Sequence, residues 1–181
     1  MHEMQKQVLH FWFDEIDSAL WWKKDPQLDQ LILERFGDLH TSAAQGELFQ
    51  WRTSAEGRLA EIIVLDQFSR NLFRDSPKAF AQDAMALVLA QEAVSIEAHT
   101  TLPPVQRSFM LMPYMHSESL AIHHQAVELF NQPGMENNLD FEQKHKAIIE
   151  RFGRYPHRNA LLGRISTKEE VEFLKQPGSR F

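Results

Sequence analysis

The sequence predicts an all-α protein. Three observations carry this: apolar residues recur at i, i+3 and i+4 in nearly every segment, helix-opening signals such as Asp25-Pro26 and Ser76-Pro77 stand ahead of those segments, and no five-residue alternating run bounded by turn residues occurs. Met4 to Phe13 reads as a short apolar helix. Asp25-Pro26 opens a second, with Leu28, Leu31, Ile32 and Phe36 on one face, and Gly37 is expected to end or bend it. After Leu39 to Ala44 and a break at Gly46 comes a long helix from about Glu56 to Asn71. Ser76 and Pro77 start the Ala- and Leu-rich run Ala79 to Ala98, and Thr100 to Pro104 is a turn. Val105 to Met112 and Tyr114 to Phe130 are helical on either side of Pro113, which is expected to kink or break the chain. A loop over Asn131 to Asn138 contains Pro133-Gly134, and the helix from Phe141 ends at Gly153. Ser166-Thr167 with Glu169-Glu170 is a capping-box start for a last helix to about Lys175.

With 181 residues, 43% of them hydrophobic, the chain is expected to form one domain, residues 1–181, with a real core. It has no Cys, which excludes disulfides, thiolate metal sites and cysteine nucleophiles. A formal charge of −6 argues against nucleic-acid binding. No stretch approaches the roughly 20 apolar residues of a membrane span, and the N-terminus lacks a basic lead into an apolar run. The expected location is the cytoplasm. Gly-rich phosphate loops, dinucleotide fingerprints and serine elbows are missing, so no cofactor is expected.

Two internal echoes are present. Leu31 to Gly37 resembles Ala147 to Gly153, and Phe68-Ser-Arg-Asn71 resembles Tyr155-Pro-His-Arg-Asn159. Their offsets differ, so one tandem duplication does not explain both, and no 34-residue repeat consensus shows through. The first echo reads as two helices closed by a C-terminal Gly.

Three polar clusters carry the functional reading. On a helical wheel the segment Leu59 to Arg74 is apolar almost all round, yet it contains Asp66, Gln67, Arg70, Asn71 and Arg74. Burying such ions costs several kcal/mol each when unpaired. Asp66 and Arg70, at i and i+4, therefore form either a structural knot or the wall of a polar cavity. The second cluster, Arg151 to Arg164, holds four Arg, one His and no acid; its turn contains Arg154, His157, Arg158 and Asn159, and Arg164 follows. Backbone N–H groups, Arg forks and a His at one turn suit a carboxylate or phosphate, and they equally suit capping of neighbouring helix ends. The third cluster is His116-Ser-Glu118 just after Pro113. Ser117 reads as an N-cap with Glu118 in the first turn, while His116 and Glu118 could supply acid–base chemistry at a cavity. His123 and His124 lack zinc spacing from His116, so no metal is expected. The N-terminal aromatics Phe11-Trp-Phe13 and Trp21-Trp22 read as core anchors.

Phe11-Trp-Phe13, Leu65-Asp-Gln-Phe-Ser-Arg-Asn-Leu-Phe-Arg74, Leu102-Pro-Pro104, Met115-His-Ser-Glu118 and Arg151-Phe-Gly-Arg-Tyr-Pro-His-Arg-Asn159, in that order, resemble the bacterial domain-of-unknown-function family 924 along essentially the whole chain. The resemblance implies a tetratricopeptide-like helical-hairpin array packed as one compact domain, and no established activity. Ser69 and Ser119 depart from the Pro and Asp often found there in the family.

The expectation is therefore a pocket for a small anionic molecule or peptide. Arg70, Arg74, Arg154, Arg158 and Arg164 supply charge, Asp66 holds an Arg in place, Gln67 joins the ligand-binding set, Asn71 and Asn159 orient, and His116, Glu118 and His157 are the candidate proton donors and acceptors. The alternative is a scaffold that binds a protein or peptide, its polar clusters serving as buried ties between helices.

Overall fold

A computed structural model describes residues 2–180 of the chain. The α-helices are α1 (His2–His10), α2 (Pro26–Ala44), α3 (Ala55–Ile63), α4 (Ser69–Leu72), α5 (Asp83–Ser95), α6 (Pro104–Met115), α7 (Leu120–Phe130), α8 (Glu136–Phe152) and α9 (Lys168–Phe173). Among the described residues there is no strand, so the all-helical prediction stands.

Local chemistry accounts for where these helices begin. Asp25 accepts from the N–H groups of Gln27 and Leu28, with Pro26 as the first helical residue of α2. Ser54 caps α3 through Gly57 N, and Thr167 with Glu170 forms a full capping box on α9. Gly153 ends α8 at φ +71°, a left-handed turn that costs a residue without Cβ nothing.

Two expected breaks are displaced. Helix α2 runs straight through Gly37 to Ala44, because Ile32, Phe36, His40 and Ala43 continue one buried face and outweigh the weak propensity of a single Gly. The two Gly-ended segments of the first echo thus end differently. Helix α6 likewise continues through Pro113 to Met115; the chain turns only at 116–119. The turn position changes the capping reading. Ser119, not Ser117, occupies the N-cap position of α7, and Ser117 Oγ accepts from Ser119 N.

The central element is α3, which runs on through a π-helical stretch, Val64–Phe68, directly into α4, with right-handed helical backbone at both junctions. Residues 59 to 69 of this rod are all buried, and it packs against α1, α2, α5 and α6. Phe68 meets Phe11, Trp12 and Phe36 in an aromatic core that also takes in Phe109. Helix α7 packs on α6 and α8 on α7. A smaller apolar cluster of Ile148, Ile149 and Tyr155 joins α8 to the 3-10 turn Pro156–Arg158.

Candidate functional site

The π-helical stretch holds Asp66 on a rod that is mostly apolar but also buries Glu61, Gln67 and Ser69. Such a one-turn widening recurs at functional sites, where it re-aims a side chain out of the ordinary helical register. Asp66 is fully buried, and three side chains reach its carboxylate. His116 Nδ1 lies 2.6 Å from Oδ1, Gln67 Nε2 donates to Oδ2 at 2.7 Å, and Arg70 approaches Oδ1 at 3.4 Å while donating to the Asp66 backbone carbonyl at 2.9 Å. Burial opposes the charged form, but the electrostatic pull of the His116 ring and of the Arg70 guanidinium, with the bonds from His116 and Gln67, holds the Asp66 carboxyl down at about 2.

A carboxylate only accepts, so His116 gives Nδ1–H to Asp66 and keeps Nε2 as its other nitrogen. No partner among the described residues takes Nε2, and His116 lines a cleft. Burial and then the charge of Arg70 push the His116 imidazolium below the ordinary histidine range, with Asp66 acting against them. The ring is therefore neutral at pH 7, with a basic nitrogen turned away from Asp66.

Beside this dyad runs a chain of alternating charge. Arg70 forks onto Asp83 at 2.9 and 3.0 Å, and Arg158 Nη1 stands 3.5 Å from the same carboxylate. The Arg158 guanidinium lies over Phe80 and Tyr155 at 4.5 and 4.8 Å, and Nη2 donates to the His116 carbonyl at 3.0 Å. Its buried Nε has no hydrogen-bond partner. Two carboxylates and two guanidiniums balance, but Arg158 retains donor capacity.

Phe80, Asp83, Pro113, His116, Glu118 and Arg158 help to wall a cleft of about 370 Å³, completed by apolar residues including Ala84, Leu87 and Leu162. That volume lies in the range of small-molecule sites. Three of the residues singled out from sequence, His116, Glu118 and Arg158, face this one cleft, and Asp66, Gln67 and Arg70 stand directly behind it.

The others are engaged elsewhere. Asn71 and Arg74 both bind Asp29 of α2, at 2.8 Å and at 2.6 Å twice. Arg154 forks onto Glu170, which also accepts from Asn159. Arg164 forks onto Glu118 and donates to Asn159 Oδ1. Burial would raise the Glu118 carboxyl, but the Arg164 fork and the N–H of Tyr155 outweigh it and leave it below its ordinary value. Glu118 is thus an ionised acceptor at pH 7 rather than a proton donor. His157 does not line the cleft; burial, with Arg158 next, pushes its imidazolium down to about 4.

Sequence reasoning overlooked Asp29, Asp83 and Glu142, and read Glu170 only as half of a capping box, not as the partner of Arg154 and Asn159. Asp83 is the common partner of both central arginines, yet in sequence it stands inside the Ala- and Leu-rich run expected from Ala79 to Ala98; in the structure that run divides, with α5 beginning only at Asp83 after the 3-10 turn Pro77–Phe80. Glu142 carried a readable signal: with His145 and Ile149 at i+3 and i+7 it shares the buried face of α8. Among the described residues no group of three or more His, Asp or Glu side chains is arranged to hold a metal, and no helix is long and apolar enough to cross a membrane.

Comparison with other proteins places this architecture. The family model described as "Bacterial protein of unknown function (DUF924)" matches residues 8–178. A solved structure of a protein of unknown function from Agrobacterium tumefaciens superposes with a TM-score of 0.91 at 36% sequence identity, covering 96% of this chain and 98% of that one. No curated protein matches the sequence.

Proposed function

We propose that this chain, which belongs to the bacterial family of unknown function DUF924, binds a small anionic molecule with an apolar segment and uses His116 as a proton acceptor in acid–base or hydrolytic chemistry. The observation that carries the reading is the Asp66–His116 pair: a fully buried carboxylate fixes the imidazole by Nδ1 and leaves Nε2 on the side of a cleft. A buried ion costs several kcal/mol unless compensated, and in enzymes this same pairing sets the tautomer and basicity of a working histidine. Arg158, with donors to spare, is the anion-recognising group. Phe80, Ala84, Leu87 and Leu162 give the cleft room for an apolar tail.

The test is a thermal-shift series with inorganic phosphate and with acetate, butyrate, hexanoate and phenylacetate. Stabilisation is expected to grow with the tail, each buried methylene contributing about 0.8 kcal/mol. It is expected to be lost in Arg158→Lys, which keeps the charge but not the planar fork. A flat response across the whole series contradicts the proposal.

A second reading is favoured by one set of contacts. Asn71, Arg74, Arg154, Asn159 and Arg164 are all spent on carboxylates or amides of other segments, as a scaffold with buried polar ties requires. In that case the successive packing of α6, α7 and α8 is the tetratricopeptide-like array implied by the family resemblance, and a peptide is the partner. A cytoplasmic location belongs to either reading.

A further inference from the structure

His116 stands in the link between α6 and α7, and three successive carbonyls, from the last residue of α6 into that link, are each taken by a different side chain. Tyr155 Oη donates to the carbonyl of Met115 at 2.5 Å, Arg158 Nη2 to that of His116 at 3.0 Å, and His123 Nε2 to that of Ser117 at 2.7 Å. Glu118 adds a fourth anchor by accepting from the N–H of Tyr155 at 2.7 Å. Two of the donors are themselves linked: Tyr155 Oη lies 3.1 Å from His123 Nε2.

Behind them, His123 Nδ1 meets Glu142 Oε1 of α8 at 2.6 Å, with both side chains fully enclosed. Because Nε2 must carry a hydrogen to satisfy the Ser117 carbonyl, the His123–Glu142 bond holds one proton between two buried groups, whichever of them owns it. Burial favours the acid form of Glu142, against the pull of His123. The other oxygen of Glu142 has no hydrogen-bond partner, so the carboxyl is committed to His123.

Such a polar assembly is an unusual expense in a core that could have been filled with Leu. We propose that Tyr155, His123 and Glu142 are positioning residues that clamp the 115–118 link and so set the angle at which His116 meets Asp66; this rests on the reading of His116 as the working group of the cleft. None of the three lines the cleft, so their action on it goes through the backbone. A loosened link would let His116 swing off Asp66 and admit water to it. Asp66, Arg70 and Asp83 are the charged groups that act on His116 in place, and solvation would raise its titration toward the ordinary imidazole range.

The test follows the His116 ring by NMR across a pH series, its signal identified by its absence in His116→Gln. Tyr155→Phe and Glu142→Leu are expected to remain helical by circular dichroism while the His116 titration moves up by about one pH unit. Glu142→Gln, whose amide donates to Nδ1 and preserves Nε2–H, is expected to titrate like the parent. A His116 titration unchanged in both Tyr155→Phe and Glu142→Leu overturns the inference, even if their melting temperatures fall. So does a shift in Glu142→Gln as large as that in Glu142→Leu. Should Glu142→Leu fail to fold, Tyr155→Phe, which removes a single oxygen, decides alone. No ligand is involved, so a cleft that binds none of the tested anions and a link that does not position His116 are separate results.

Discussion

Asp66 is destabilising as a bare buried ion and becomes tolerable only through His116, Gln67 and Arg70. Removing one member therefore does more than delete a contact. Arg70→Ala leaves Asp66 and Asp83 facing each other without their shared cation, and is expected to cost about 3–5 kcal/mol in urea unfolding, the range for breaking a buried pair. Asp66→Asn keeps the shape and removes the charge. Because Asp66 is a group that favours the His116 cation, the Asn variant is expected to titrate His116 still lower than the parent. A rise instead would mean that the two side chains are not in contact. At this scale the sequence was informative about which residues matter and poor about their partners. Asp66 and Arg70 stood out as ions on an apolar helix, but their i, i+4 spacing suggested that they pair with each other, whereas the strong fork of Arg70 goes to Asp83, thirteen residues on.

Among the elements, α3 depends on a close approach that only Gly permits. A Cβ on Gly57 would sit 2.0 Å from the carbonyl oxygen of Trp51, a backbone atom that cannot move aside alone. Gly57→Ala is expected to cost about 3 kcal/mol or more, the upper end for overpacking, and to shift α3 and with it Asp66. A urea midpoint equal to the parent's would contradict the packing described. Thr167→Ala removes one half of the α9 capping box and is expected to cost about 1 kcal/mol. That cap was legible in sequence because its chemistry is local. The continuation of α2 through Gly37 and of α6 through Pro113 was not, because a buried face supplied by other helices overrides local propensity.

For the whole molecule, the six arginines that gather at 70–74 and 151–164 in an acidic chain meet carboxylates from other segments: Asp29, Glu118, Glu169 and Glu170 take one each, and Asp83 is shared by Arg70 and Arg158. Clustering along the chain showed the cations; which acids meet them is decided by tertiary packing and was out of reach. The same packing buries neutral histidines. His145 is pushed down to about 3 and His157 to about 4, in both cases chiefly by burial. The unfolded chain takes up protons near pH 6.5 that the folded one refuses, so stability is full above that pH and is lost as pH falls from about 6.5 toward 4. Asp66, with its carboxyl held at about 2, adds a further loss only below about pH 4. Melting temperature is expected to decline from pH 7 to pH 5, and a flat profile there would show that these histidines charge without cost.

The proposed function requires His116 to meet Asp66 through Nδ1 and to leave Nε2 to the cleft. Nitrogen-15 NMR of the histidine rings at pH 7 tests this most directly. It should show His116 as a neutral ring protonated on Nδ1, with a bare Nε2 whose resonance moves when hexanoate is added. An Nε2-protonated ring, or an Nε2 signal indifferent to every anion tried, would contradict it.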